Sequence, residues 1–126
     1  MKFTINKQER YTVLSLEEET LNTLLAPNLK SEFVIMRNEG VQNLILDLSA
    51  VTFVDSSGLS AILTANRLWS GVGSFILTGV EHQNVKKLIN ISRLDTILTI
   101  VPSIAESIDY VMMEEIEREL NSDNED

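Results

Sequence analysis

Residues 44–48, Leu-Ile-Leu-Asp-Leu, form a short run that is apolar at every position but one, and Asp55-Ser56-Ser57-Gly58-Leu59 opens seven residues further on. A strand with one face in water alternates apolar and polar residues. A run that is apolar throughout is covered on both faces, as in a parallel sheet packed between crossover helices. The hydroxyls that follow, just before a helical pattern, stand where a helix N-terminus offers backbone N–H groups. A fold that buries this strand therefore presents a serine at its edge, at the carboxyl end of the sheet where α/β folds place their ligand and partner sites.

The rest of the chain is consistent with that frame. Phe3 to Ile5 and Tyr11 to Leu16 look like the two arms of a hairpin, and Glu17-Glu18-Glu19-Thr20 then interrupts the apolar pattern. Leu21, Leu24, Leu25, Leu29, Phe33 and Met36 recur at three- and four-residue spacing, which predicts one apolar helix stripe. Pro27 is tolerated only in a first turn, so that helix starts near residues 24–26 and ends at Gly40, a left-handed cap. A second helix runs from Leu59 through Ile62, Leu63 and Asn66 to a stop at Gly71. Ser74 to Thr78 is the next strand, and Val85, Leu88, Ile89 and Leu94 are a third helix stripe. Ile97 to Val101 is a last strand, closed by Pro102. Ser103-Ile104-Ala105-Glu106 matches a capping box for a final helix, on which Glu114 and Arg118 are spaced as a surface ion pair. The order is β-β-α-β-α-β-α-β-α. It predicts an α/β class with a five-stranded mixed sheet, four helices, and an N-terminal hairpin followed by β-α repeats. One domain spans residues 1–120, and the polar residues 121–126 are expected to be disordered.

Composition narrows the function classes. The net charge is −9, of which residues 114–126 contribute −6 through seven acids set against Arg118 alone. An acidic chain lacks the cations that neutralise phosphates, so direct nucleic-acid binding is not expected. The acidic end reads as a solubilising segment, with contact to a basic partner as the sharper alternative. No cysteine is present, which removes disulfides and thiolate metal sites. The N-terminus is too polar for a secretory signal and no apolar stretch approaches the ~20 residues of a membrane span, so the expected location is the cytoplasm without membrane insertion.

Most enzymatic chemistries lack their residues here. There is no P-loop and no Gly-x-Ser-x-Gly elbow, and the single histidine, His82, reads as a surface residue at a helix start. Asp47 and Asp55 invite comparison with a metal pair or a phosphate-accepting carboxylate, but no strand-end lysine follows Ser74 to Thr78 to complete it. Asp47 is read instead as bonding the backbone of its own loop, and Trp69 as a residue of the core edge. The chain is expected to be neither an enzyme nor a cofactor binder. Ser56 is the favoured site of reversible phosphorylation, with Ser57 as second choice; an ordinary helix cap is the plainer reading of the same residues.

The stretch from Leu46 to Leu59, Leu-Asp-Leu-Ser-Ala-Val-Thr-Phe-Val-Asp-Ser-Ser-Gly-Leu, resembles the signature of STAS domains, and in particular of bacterial anti-sigma factor antagonists. Residues 84–97 and 102–108 are similar to later parts of that family, and the resemblance covers roughly residues 1–118. It implies a non-enzymatic switch. Ser56 would be phosphorylated by an anti-sigma factor that is also a serine kinase with a histidine-kinase-like ATPase fold. A metal-dependent serine phosphatase would reverse the modification, and the unmodified form would bind the anti-sigma factor. Asp55, Ser57, Gly58 and Asn22 would contact the partner, with Asp55 presenting Ser56 and Gly58 admitting the partner backbone. Asn22 stands where the family often carries an aspartate, and the acidic end lies outside the family core. STAS-like domains also serve as accessory or scaffold subunits of stress-sensing or lipid-transport complexes without phosphorylation, which is the alternative function.

Overall fold

The computed structural model describes residues 1–124, with strands β1 (Phe3–Lys7), β2 (Thr12–Leu16), β3 (Thr20–Leu21), β4 (Leu44–Asp47), β5 (Phe53–Val54), β6 (Phe75–Thr78) and β7 (Thr99–Val101). The helices are α1 (Ala26–Asn38), α2 (Ser56–Trp69), α3 (Gln83–Ile91) and α4 (Ile104–Asn124), with a 3-10 turn at Leu94–Thr96. Five strands make one sheet in the order β1-β2-β4-β6-β7. The β1–β2 hairpin is antiparallel, and β2–β4, β4–β6 and β6–β7 are parallel. The expected five-stranded mixed sheet with four helices is what the chain forms.

Strand β4 lies at the centre, and all four of its residues are buried. Alternation along β2, β4 and β6 sends Leu14, Leu44, Leu46 and Leu77 to one face, where α1, α2 and α3 pack through Leu29, Phe33, Ala61, Ile62 and Val85. Val13, Ile45 and Ile76 point to the other face, where α4 alone covers them with Ile104, Ile108 and Val111. Trp69 is buried at the end of the larger core. Its Nε1 donates to Val41 O at 3.0 Å, and Phe33 meets its ring edge-on.

Local signals are realised much as their chemistry requires. Pro27 sits in the first turn of α1, and Gly40 adopts φ +90° while the Val41 N–H reaches back to Met36 O, a Schellman end. The Glu106 N–H donates to Ser103 Oγ at 3.1 Å, capping α4.

Several expectations are corrected. Leu24 does not join the α1 stripe; it is 82% exposed on the loop before the helix. Leu94 belongs to the 3-10 turn, because α3 ends at Ile91. Arg118 pairs with Glu115 at 3.6 Å instead of Glu114, since Glu115 faces the sheet where Arg118 is already drawn. Helix α4 continues through Asn124, so residues 121–124 are helical where polarity suggested disorder; residues 125 and 126 lie outside the described residues.

What draws Arg118 inward is Asn43, a buried amide at the amino end of β4. Its Nδ2 donates to Arg10 O at 2.8 Å and to Glu115 Oε1 at 2.6 Å. Its Oδ1 accepts from Ser74 N at 2.8 Å and from Arg118 Nη2 at 3.1 Å. One side chain thus joins the hairpin turn, the start of β6 and the second half of α4. Replacing Asn43 with Ala leaves the Ser74 N–H buried without its partner. The expected loss is about 2–3 kcal/mol in urea unfolding, with faster amide exchange in the second half of α4.

Candidate functional site

Two short strands absent from the sequence reading build the site. After β2 and after β4 the chain leaves the main sheet, and β3 pairs with β5 in parallel, Thr20 opposite Phe53 and Leu21 opposite Val54. Glu19 O receives the Thr52 and Phe53 N–H groups, and Leu21 O receives the Asp55 N–H at 3.1 Å. This small second sheet lies past the carboxyl ends of β2 and β4 and delivers Asp55 to the first turn of α2.

Asp55 is the N-cap of α2. Its Oδ1 accepts from Gly58 N at 2.9 Å, and its Oδ2 accepts from Thr23 N at 3.2 Å and Thr23 Oγ1 at 3.3 Å. The Gly58 N–H, above all, holds the Asp55 carboxyl below its ordinary value of 3.8; partial desolvation opposes this, and the Thr23 groups add to it. The sequence left the cap open within the Asp-Ser-Ser-Gly run, with Ser56 or Ser57 as candidates; Asp55, just before them, binds the Gly58 N–H and takes the role. One N–H of the helix end, that of Gly58, is therefore already bonded to a carboxylate.

This leaves the two serines in different states. Ser57 is partly buried, and its Oγ lies 3.1 Å from Thr23 Oγ1. Ser56, at the first position of α2, is exposed.

Asn22 shapes the loop behind them. Its Oδ1 accepts the Leu24 N–H at 3.0 Å and its carbonyl accepts from Leu25 and Ala26, so the turn swings Thr23 toward Asp55 and Leu24 into solvent. Gly58 has an internal role. It is buried, and a Cβ there would sit 2.6 Å from Leu21 O and 2.7 Å from Val54 Cγ1. The close approach its hydrogen permits is by β3 and β5 of its own chain, so the implied admission of a partner backbone does not describe it.

Thr23 is the residue that sequence reasoning missed. Its signal is weak: one hydroxyl in a polar turn, made meaningful only by the pairing of β3 with β5. Around the site, Leu24 and Phe53 are exposed apolar side chains. A groove of about 310 Å³ beside Phe53 is lined by Asn84, Lys87, Leu88 and Ile91, and a second of about 470 Å³ by Glu17, Glu18, Glu19 and Leu24.

The remaining candidates are occupied locally. Asp47 accepts from Ser49 N at 3.0 Å, Ser49 Oγ and Ser15 Oγ, which is the loop-bonding role expected of it. His82 caps α3 from the surface, with Nδ1 accepting from Asn84 N at 3.1 Å. Among the described residues no group of three or more His, Asp or Glu is arranged to hold a metal ion, and no helix is long and apolar enough to cross a membrane.

The family model for the STAS domain matches residues 2–122, nearly the whole chain. The chain belongs to the STAS domain family. A Thermotoga neapolitana protein named as an anti-sigma factor antagonist, a TM1081 homologue, is 31% identical over 74 residues, 59% of this chain and 66% of that protein, just under two thirds of its length. The crystal structure of TM1081 from Thermotoga maritima, also named as an anti-sigma factor antagonist, superposes with a TM-score of 0.76 at 26% identity over 87% of this chain and 94% of that one. The Bacillus cell fate determinant SpoIIAA in its phosphorylated form shares the fold, with a TM-score of 0.66 at 22% identity over 87% and 99% of the two chains.

Two outcomes check this geometry. In Gly58→Ala, contact with a backbone carbonyl that cannot retreat outweighs the gain in helix propensity of about 1 kcal/mol, so thermal unfolding shows a net loss of about 1–2 kcal/mol. The Asp55 carboxyl binds a proton less readily in the folded chain than in the unfolded one. Its contribution is complete above the ordinary carboxylate range and is lost as pH falls through its lowered value. Wild type is therefore more stable than Asp55→Asn at neutral pH, and urea midpoints of the two converge as pH drops below about 4.

Proposed function

We propose that this STAS domain is a phosphorylation-controlled interaction switch, an anti-sigma factor antagonist whose Ser56 carries the signal. The observation that carries this reading is the contrast within one helical turn: Ser56 is exposed, while Asp55 and Ser57 beside it are engaged with Thr23. An enzyme reaching this turn meets in Ser56 the more exposed of its two serine hydroxyls, and the one not engaged with Thr23. Exposed Leu24, next to Thr23, and exposed Phe53, on β5 before Asp55, provide apolar surface for a partner to cover. The relatives named as anti-sigma factor antagonists, and SpoIIAA, solved in a phosphorylated form, supply the partner class.

In this reading the unmodified domain binds an anti-sigma factor that is also a serine kinase with a histidine-kinase-like ATPase fold. Asp55, Ser57 and the Asn22 turn lie in the interface. Transfer of a phosphoryl group to the Ser56 hydroxyl ends binding, and a metal-dependent serine phosphatase restores it. The domain works in the cytoplasm and has no catalytic activity of its own.

The energetics follow from what surrounds Ser56. A phosphoserine adds about −1.5 to −2 charge. The Gly58 N–H at the helix end is already taken by Asp55, so the new charge lies beside a carboxylate. Two charges about 4 Å apart near a surface interact by up to roughly 4 kcal/mol. A docked partner strips both of water and strengthens that repulsion, a cost that arises only in the complex. Every increment of about 1.4 kcal/mol in it is about tenfold in affinity.

The test has two arms. Mass spectrometry of the chain purified from its native host should find one phosphate, on Ser56, removable by phosphatase. Ser56→Ala should fold normally and bind the anti-sigma factor whether or not kinase and ATP are present, with Ser56→Asp weaker by about tenfold or more. A phosphate located on another residue, or equal binding by both variants, overturns the proposal.

A further inference from the structure

Helix α4 is apolar on two opposite sides, and the sheet accounts for only one. Its 21 residues span about 31 Å, whereas the strands it crosses, of three or four residues each, are about 10–13 Å long. Ile104, Ile108 and the fully buried Val111 face the sheet, and Arg118 reaches down to Asn43 on the same side. Met113, Ile116 and Leu120 are 59%, 51% and 57% exposed. At about 100° per residue these three fall within about 60° of one another, directly opposite Val111. Scattered exposed apolar residues are normal on a protein surface. Three at i, i+3 and i+7 on the far side of a docked helix are the a-d-a spacing of a helix-pairing seam.

The flanks of the seam name its partner. With Met113 and Leu120 at a and Ile116 at d, the e and g positions beside Leu120 are Glu117 and Glu119, and the d position before Met113 is Asp109. Glu119 meets Arg10 only at 3.9 Å, with both side chains largely exposed, and Arg118 is turned toward the sheet. In a pair of α4 helices from two copies, Glu would stand against Glu along the contact, and each chain would bring a net charge of −6 from residues 114–126. Like charges at these flanks oppose pairing, and opposite charges select it.

We propose that the outer face of α4 is a second docking site, which takes a basic amphipathic helix of another protein, with apolar residues against Met113, Ile116 and Leu120 and Lys or Arg against Glu117 and Glu119. It lies on the opposite face of the sheet from the helix that carries Ser56, so the two sites can be filled together. A helix laid on a single seam of three side chains makes a small contact, which suits reversible binding.

The experiment uses the full chain with 13C-labelled Met, Ile and Leu methyl groups. It is titrated with a synthetic helical peptide bearing Leu at a and d and Lys elsewhere, and separately with the same peptide bearing Glu for Lys. The expected result is that the Lys peptide shifts the methyl signals of Met113, Ile116 and Leu120, while the Glu peptide does not. Ile116→Ser should weaken binding by about tenfold, raised salt should weaken it further, and Ser56→Asp should leave it unchanged. That last arm keeps this test independent of the phosphorylation switch. Shifts confined to other methyl groups, equal binding of both peptides, or concentration-dependent pairing of the chain with itself through these three residues would each overturn the proposal.

Discussion

The carboxylate of Asp55 holds together two parts of the chain that are 32 residues apart in sequence. One oxygen closes the first turn of α2 through Gly58, and the other binds the loop before α1 through the backbone and hydroxyl of Thr23. Everything around the site depends on both bonds. The β3–β5 pair is only two residues long, too short to persist alone. It is secured because Leu21 O accepts the Asp55 N–H on one side and packs against the bare Cα of Gly58 on the other. Glycine is needed here for space, since any side chain would push α2 away from β3 and break the contact Asp55 makes.

The same arrangement determines how the surface responds to charge. A helix N-terminus with free N–H groups would draw an added phosphate inward and rearrange around it. Here Asp55 already takes the Gly58 N–H, and its lowered proton affinity reflects how well the N–H and hydroxyl donors suit an anion. In the proposed switch a second anion on Ser56 lies beside the Asp55 carboxylate, on a side chain exposed to solvent or to whatever is docked. In the proposed switch, the domain then needs no internal change. The signal is a local clash of charge at an interface, presented on a backbone that stays in place.

Much of the fold was legible because its signals are local or periodic. The apolar run 44–48 points to a doubly covered strand, and Gly40, Pro27 and Ser103 mark helix ends through backbone chemistry that does not depend on distant residues. What escaped was non-local. Two-residue strands have no period to detect, so β3 and β5 were hidden in what looked like loops. Leu24 fits the helical spacing of its neighbours, yet the Asn22 turn places it outside the helix. The cap stayed open because Asp, Ser and Ser all make good caps, and only the geometry of Thr23 and Gly58 selects Asp55 among them. Asn43 looked like any polar residue before a strand, although its amide joins three elements.

A sheet whose central strand is buried on both sides must be covered on both sides, and this chain does so unevenly. Three helices share one face, while a single helix covers the other and reaches the sheet with only a few apolar residues. A helix so placed needs something beyond hydrophobic contact to keep its second half in register. Asn43, Glu115 and Arg118 supply it, each bonded to the others or to the backbone beneath. Because those polar residues occupy the inward side of the second half of α4, the apolar residues of that half have no place against the sheet and lie outward. The exposed seam is therefore the counterpart of the polar anchor: the residues that fix the helix in place also decide which of its sides is left for another molecule.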